Sequence, residues 1–250
     1  ESRDVYREYL YDLQGDSSDD ERKYRGRGRE RMIVNDRITD YINSLERSRG
    51  PLLTEIASKA RKERVPVIRE ETASFLISLV ESKRPAAILE VGTAVGYSTL
   101  LMAGAMPENC RITTIEKYEK RIPEALRNFE RAGEGDRITL LAGDAGEILK
   151  KLTGPYDFIF MDAAKGQYLV WLPEIMRLMV PGSMLVSDNV LQDGDIIESR
   201  YAVERRNRTI HARMREYLYE LKHTDSLATS IIPIGDGVAL SVFRERDVKR

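Results

Sequence analysis

Apolar and polar residues alternate along this chain with two different periods, and the switch between them lays out its architecture. From Ile33 the period is helical. Ile38, Tyr41, Ile42 and Leu45 fall at i, i+3, i+4 and i+7; Pro51 opens a second helix with Leu53, Ile56 and Ala57 on one face; Ala73, Leu76, Ile77 and Val80 mark a third over Glu70–Glu81. Thereafter short apolar runs and helical stretches take turns. Strands are predicted at Ala87–Val91, Arg111–Ile115, Ile138–Leu141, Tyr156–Met161 and Ser183–Ser187, with helices at Tyr97–Ala105, Ile122–Ala132, Ala145–Leu152, Tyr168–Leu178 and Ser199–Leu221 between and after them. Two apolar runs close the chain, Ser230–Pro233 and Val238–Phe243, joined through Gly235-Asp236-Gly237, which is hairpin turn chemistry. Largely apolar runs alternating with helices predict an α/β fold with a parallel sheet covered on both faces, and the hairpin adds one antiparallel strand.

Residues 1–31 break the pattern. Gly15–Arg22 is acidic and polar, and Arg25-Gly26-Arg27-Gly28-Arg29 is a basic glycine tract. This part is expected to be a mobile extension with one short helix at Val5–Leu13, ahead of a single domain over residues 32–250 that starts at Met32. The basic tract leaves an RNA-contacting arm as a second reading.

Composition narrows the function classes. At 250 residues and 42% hydrophobic residues the chain has material for a sizeable core, and a formal charge of −1 gives no global field for nucleic acid. The single Cys110 excludes an intramolecular disulfide and fits a reducing compartment. No apolar run approaches the roughly 20 residues that span a membrane, and no leader is read at the N-terminus, so a cytoplasmic placement away from membranes is expected.

The candidate chemistry lies at strand ends. Ile88–Val91 runs into Gly92-Thr93-Ala94-Val95-Gly96 and then a helix, a unit that lets a nucleotide-like ligand approach bare backbone. Ala94 stands where a dinucleotide fingerprint has its second glycine, which weakens a nicotinamide reading. Glu90 is an acid at the end of an otherwise apolar strand. Glu116 ends the next strand and either accepts from ribose hydroxyls or is a solvated carboxylate; Asp144, after the third, either contacts an adenine amine or caps the helix behind it. Asp162 and Asp188-Asn189 end two later strands, so they share the rim with Gly92. Two carboxylates and an amide oxygen suit Mg²⁺, the alternative being helix capping. Lys165, three residues beyond Asp162, can take a proton from a hydroxyl beside such an ion, or is a surface lysine.

Leu89-Glu90-Val91-Gly92-Thr93, Met161-Asp162-Ala163-Ala164-Lys165 and Ser187-Asp188-Asn189-Val190-Leu191 together resemble the cation-dependent, S-adenosylmethionine-dependent O-methyltransferases, which include catechol and caffeoyl-CoA methyltransferases. The resemblance covers about residues 32–247. It implies a Rossmann-like class I methyltransferase fold with a seven-stranded sheet, and a homodimer. It implies that Glu90, Gly92, Ser98, Glu116, Asp144, Ala145 and Asp162 line the S-adenosylmethionine site, that Asp162, Asp188 and Asn189 hold Mg²⁺ or another divalent ion, and that Lys165, with Asp162, is catalytic. A substrate with two neighbouring oxygens can chelate the ion.

Within the family the chain is most similar to the bacterial branch that methylates 5-hydroxyuridine at the tRNA wobble position, through its Met32–Leu45 start, Val65-Pro66-Val67-Ile68 and the basic stretch Arg205–Leu221. This makes a tRNA anticodon loop the expected partner. Arg205, Arg206, Arg208 and Arg213, with Arg200 and Arg215, would meet its phosphates and bases; Lys59, Arg61, Lys62 and Arg64 form a second basic cluster. A solvated helix face is the plain alternative for the arginines. A small catechol-like or caffeoyl-CoA-like acceptor is the alternative substrate, and a non-catalytic binding module is a third reading that the intact strand-end residues oppose.

Overall fold

A computed structural model describes residues 34–199 and 201–245. The expected extension, its helix at Val5–Leu13, the basic glycine tract, Met32 and Arg200 lie outside them.

The sheet is seven-stranded with order β3-β2-β1-β4-β5-β7-β6, its strands being β1 Ala87–Val91, β2 Arg111–Glu116, β3 Ile138–Ala142, β4 Phe158–Met161, β5 Met184–Ser187, β6 Leu227–Ile232 and β7 Val238–Phe243. Strands β1 to β5 pair in parallel; β7 runs antiparallel to both its neighbours, β5 and β6. This is the expected Rossmann-like arrangement. Among the described residues the helices are α1 Asp36–Ser44, α2 Pro51–Lys62, α3 Glu70–Lys83, α4 Tyr97–Ala105, α5 Ile122–Arg131, α6 Ala145–Leu149, α7 Tyr168–Arg177 and α8 Arg208–His223.

The central strands β4 and β5 read as apolar because both faces are covered. In β4, Phe158 and Phe160 pack on one side with Leu76, Leu100 and Phe129, while Ile159 and Met161 pack on the other with Leu149, Tyr168 and Tyr217. The two-residue period of the strand thus feeds two cores. Burying each such side chain contributes about 1.5–3 kcal/mol, so the central strands fix the sheet.

Two boundaries and one buried face differ most from the sequence reading. Strand β6 begins at Leu227 and ends at Ile232, because Pro233 has no N–H to give the ladder. The last helix starts at Arg208, not Ser199. Arg208 donates from Nε to the Val203 carbonyl at 3.1 Å and from a terminal nitrogen to the Tyr201 carbonyl at 3.3 Å, which folds that stretch into turns. Helix α1 forms as predicted, but its apolar stripe faces outward: Ile38, Tyr41 and Leu45 are each more than half exposed.

Chain order places the rim. From β1 the chain moves outward through β2 and β3, then returns to β4 on the other side of β1. The carboxyl ends of β1 and β4 therefore flank a topological switch point, where ligands bind in open α/β sheets. Register keeps the ends level: Val91 pairs with Met161, and Met161 with Ser187, so Asp162 and Asp188 leave adjacent strands at one height.

Candidate active site

The rim encloses a cavity of about 710 Å³. Its β1–β2 side is built on a tight turn. Gly92 has φ +106°, and a Cβ there would lie 2.1 Å from the Asp162 carbonyl oxygen, so a side chain is excluded both by conformation and by the neighbouring strand end. The Gly92 N–H donates to Ile115 at 3.0 Å and Asp162 N–H to Val91 at 3.0 Å, extending the ladder to the cavity wall.

Two carboxylates brace this turn. Glu90 is fully buried and does not reach the cavity. It accepts from Ser98 Oγ and Thr114 Oγ1, both at 2.6 Å, and from Thr99 Oγ1. With Thr114 donating to Glu90, Thr93 Oγ1, 2.6 Å away, donates to Thr114. Burial pushes the Glu90 carboxyl up to about 7, and the three hydroxyls pull it back. Glu116 accepts from the Ala94 N–H through one oxygen and from the Tyr118 N–H through the other, both at 2.7 Å, and lines the cavity. Each of its oxygens keeps a lone pair for a further donor. Asp144 caps α6, accepting from the Gly146 N–H at 2.9 Å, and pairs with Lys117 at 2.8 Å. The capping reading is the one the structure shows, and the residue also lines the cavity. Lys117 holds its carboxyl below the usual range.

The β4–β5 side is different. Helix capping does not explain its acids, because the residues that precede the short helical turns behind them are Ala164 and Leu191. Asp188 is buried and Asp162 partly buried on the cavity wall, and both carboxyls are pushed up. For Asp162 the cause is burial, which Lys165 opposes; for Asp188 it is burial and then the Asp162 charge. Asp188 Oδ1 accepts from the Asn189 N–H at 2.7 Å, and Asn189 adopts φ +60°, a conformation asparagine tolerates. The fully buried Tyr168 hydroxyl donates to the Met161 carbonyl at 3.0 Å and accepts from the Ala163 N–H at 3.1 Å, which sets the direction of the loop carrying Asp162 and Lys165. A pair of like charges with one lysine beside it, plus an amide, is a donor set that fits a hard cation. The glycine turn, Glu116 and Asp144 around a cavity of this size fit a nucleoside-bearing cofactor.

Comparison with known proteins decides the family. A profile described as O-methyltransferase matches residues 46–244. The chain belongs to this O-methyltransferase family. The O-methyltransferase is 34% identical over 167 residues to the catechol O-methyltransferase of Niastella koreensis, covering 64% of this chain and 76% of that one. It is 31% identical to the caffeoyl-CoA O-methyltransferase of Populus kitakamiensis over 70% of this chain and 76% of that one. Its fold matches an SAH-bound methyltransferase of Podospora anserina with a TM-score of 0.76 at 25% identity, over 84% of this chain and 95% of that one.

In this O-methyltransferase the structure brings Gly92, Ser98, Glu116, Asp144, Ala145, Asp162, Lys165, Asp188 and Asn189 to one cavity and leaves Glu90 behind its wall. The five described arginines proposed for RNA, Arg205, Arg206, Arg208, Arg213 and Arg215, do not line it. Arg206 pairs with Glu204 at 2.7 Å, Arg208 holds the carbonyls named above, Arg213 donates to the Gly166 carbonyl at 3.0 Å, and Arg205 is exposed. Two cavity residues escaped the sequence reading. Asp236, read only as part of a turn, accepts at Oδ2 from Asn189 Nδ2 at 3.0 Å and pairs through Oδ1 with Arg69, which also holds Asp193 at 2.6 Å. The signal was present: a carboxylate between two glycines, in a loop that follows a strand of the same sheet.

Proposed function

We propose that this chain transfers the methyl group of S-adenosylmethionine to one of two adjacent oxygens on a small catechol-like acceptor, with a divalent cation held by Asp162, Asp188 and Asn189. The observation that carries this reading is the Asp162–Asp188 pair on the wall of a glycine-turn cavity, two carboxylates raised by burial, Asp188 also by the Asp162 charge. When bound, S-adenosylmethionine supplies a methyl group on a sulfonium, and a divalent cation such as Mg²⁺ acidifies a hydroxyl and orients it.

The chain's own residues do the rest. Gly92 exposes backbone to the cofactor, Glu116 offers acceptors to its ribose, and Asp144 with Ala145 flanks its base. Lys165, on the cavity wall three residues after Asp162, in its neutral amine form takes the proton leaving the acceptor hydroxyl as the carbon–sulfur bond gives way to the new carbon–oxygen bond. Holding the partners in line is the main contribution, as expected for a direct displacement.

The comparisons favour this acceptor class over 5-hydroxyuridine in tRNA, since the relatives named above are a catechol and a caffeoyl-CoA methyltransferase. Arg206, Arg208 and Arg213 are also engaged with their own chain. The outward stripe of α1 supports self-association, the homodimer the family resemblance implied. The test presents a catechol, caffeoyl-CoA and purified tRNA to the enzyme, each with Mg²⁺ or with EDTA. Methylation of a small acceptor, lost in EDTA, is expected; methylation of tRNA alone overturns the acceptor class, and full activity in EDTA overturns the cation.

A further inference from the structure

We infer that Asp236 is a positioning residue: it decides which end of the Asn189 side-chain amide faces the cavity. The inference rests on the reading of Asp162, Asp188 and Asn189 as cation ligands. Asn189 Nδ2 donates to Asp236 Oδ2 at 3.0 Å. A carboxylate offers only acceptors, so an amide that meets it must turn its nitrogen towards it and its oxygen away. The oxygen is the end a hard cation binds; the nitrogen carries two hydrogens and cannot ligate. Without a fixed partner the two ends of an amide are close to interchangeable in shape.

Both partners are held by backbone rather than by their mutual contact. The Asn189 N–H is fixed to Asp188 Oδ1 at 2.7 Å. The loop bearing Asp236 is tied to the segment after β5 by Val190 N–H to the Gly237 carbonyl and Leu191 N–H to the Asp236 carbonyl, each at 2.9 Å. It also packs tightly there: a Cβ on Gly237 would lie 2.3 Å from Leu191 Cγ. Arg69, from the segment before α3, occupies the other oxygen of Asp236 and bridges to Asp193. The Asp236 carboxylate is thus presented to Asn189 in one orientation, and Arg69 opposes its rotation.

The experiment measures Mn²⁺ binding to the full chain by electron paramagnetic resonance, with S-adenosylmethionine binding by calorimetry as the check on folding. Asp236→Asn keeps the shape. Arg69 should take the oxygen of the new amide, turn its nitrogen to Asn189 and draw the Asn189 oxygen off the cavity. Mn²⁺ should bind about tenfold or more weaker, in the range found for residues that orient ligands. Asp193→Asn removes a charge beside the same arginine and beside Asp236, without touching Asn189, and should cost less than about threefold. Asp236→Ala, which leaves the amide undirected, should fall between them, and S-adenosylmethionine affinity should stay unchanged throughout. Mn²⁺ affinity in Asp236→Asn equal to wild type overturns the inference. So does an equal loss in Asp193→Asn, which would assign the effect to charge alone. Asp188→Ala separates the two levels: if it leaves Mn²⁺ binding intact, the cation site itself is wrong and this inference falls with it; if it abolishes binding while Asp236→Asn does not, only the present inference fails.

Discussion

The two halves of the strand-end rim each carry a pair of carboxylates and treat them in opposite ways. On the β1–β2 side, Glu90 receives three hydroxyls and Glu116 two backbone N–H groups, all from their own chain. On the β4–β5 side, burial pushes both Asp162 and Asp188 up, the Asp162 charge pushes Asp188 further, and Lys165 is the opposing charge. Burial alone does not mark a site. Glu90, saturated by its own chain, is a brace; Glu116 braces and still faces the cavity; Asp162 and Asp188, carboxylates side by side on the cavity wall, call for a positive partner.

The largest effect should come from breaking the second pair. Asp188→Ala is expected to lower kcat by about 10³-fold while S-adenosylmethionine affinity, read by calorimetry, changes less than about threefold. Next is the joint between the halves. In Gly92→Ala the new Cβ meets the Asp162 carbonyl oxygen at 2.1 Å, so urea unfolding should show a loss of about 3 kcal/mol or more. Glu90 tests the braced side through pH. Its carboxyl rises from 4.5 to about 7 on folding, so the folded chain binds more protons in that window and stability falls as pH climbs through it. The span amounts to about 3 kcal/mol. Glu90→Gln should flatten that slope, whatever it does to stability at one pH; an unchanged slope assigns it elsewhere. Glu116→Ala should weaken the cofactor by about 10- to 100-fold with a smaller change in kcat at saturation, the reverse of the Asp188 pattern. The smallest effect is expected at Arg206→Ala, less than about twofold on a catechol, because its partner is the exposed Glu204.

The contrast between the halves was only partly legible in the sequence. Strands β1, β4 and β5 were readable because two buried faces leave no polar residue in their middles, and their ends named Glu90, Asp162 and Asp188 directly. Whether such an acid braces or binds depends on donors from other elements. Thr114 lies on the strand beside Glu90 and Ser98 in the following helix, and no period in the chain announces that they converge. Asp236 was hidden for the same reason: it lies 47 residues from Asn189, and only the insertion of β7 beside β5 joins them. The start of α8 was misplaced because Arg208, a good helix former by type, spends its side chain on the carbonyls of Tyr201 and Val203. The outward stripe of α1 had correct spacing; spacing tells which residues share a face, not what the face meets.

The hairpin turn at Pro233–Gly237 gives the molecule an order of completion. Synthesis delivers Asp162, Asp188 and Asn189 well before Asp236, and β7 must slip between β5 and β6 before that side chain reaches its place. A nascent or truncated product that stops short of this turn would carry every candidate ligand and still lack the group that aims one of them. Competence would then arrive with β7, so that catalysis reports on a sheet fully threaded.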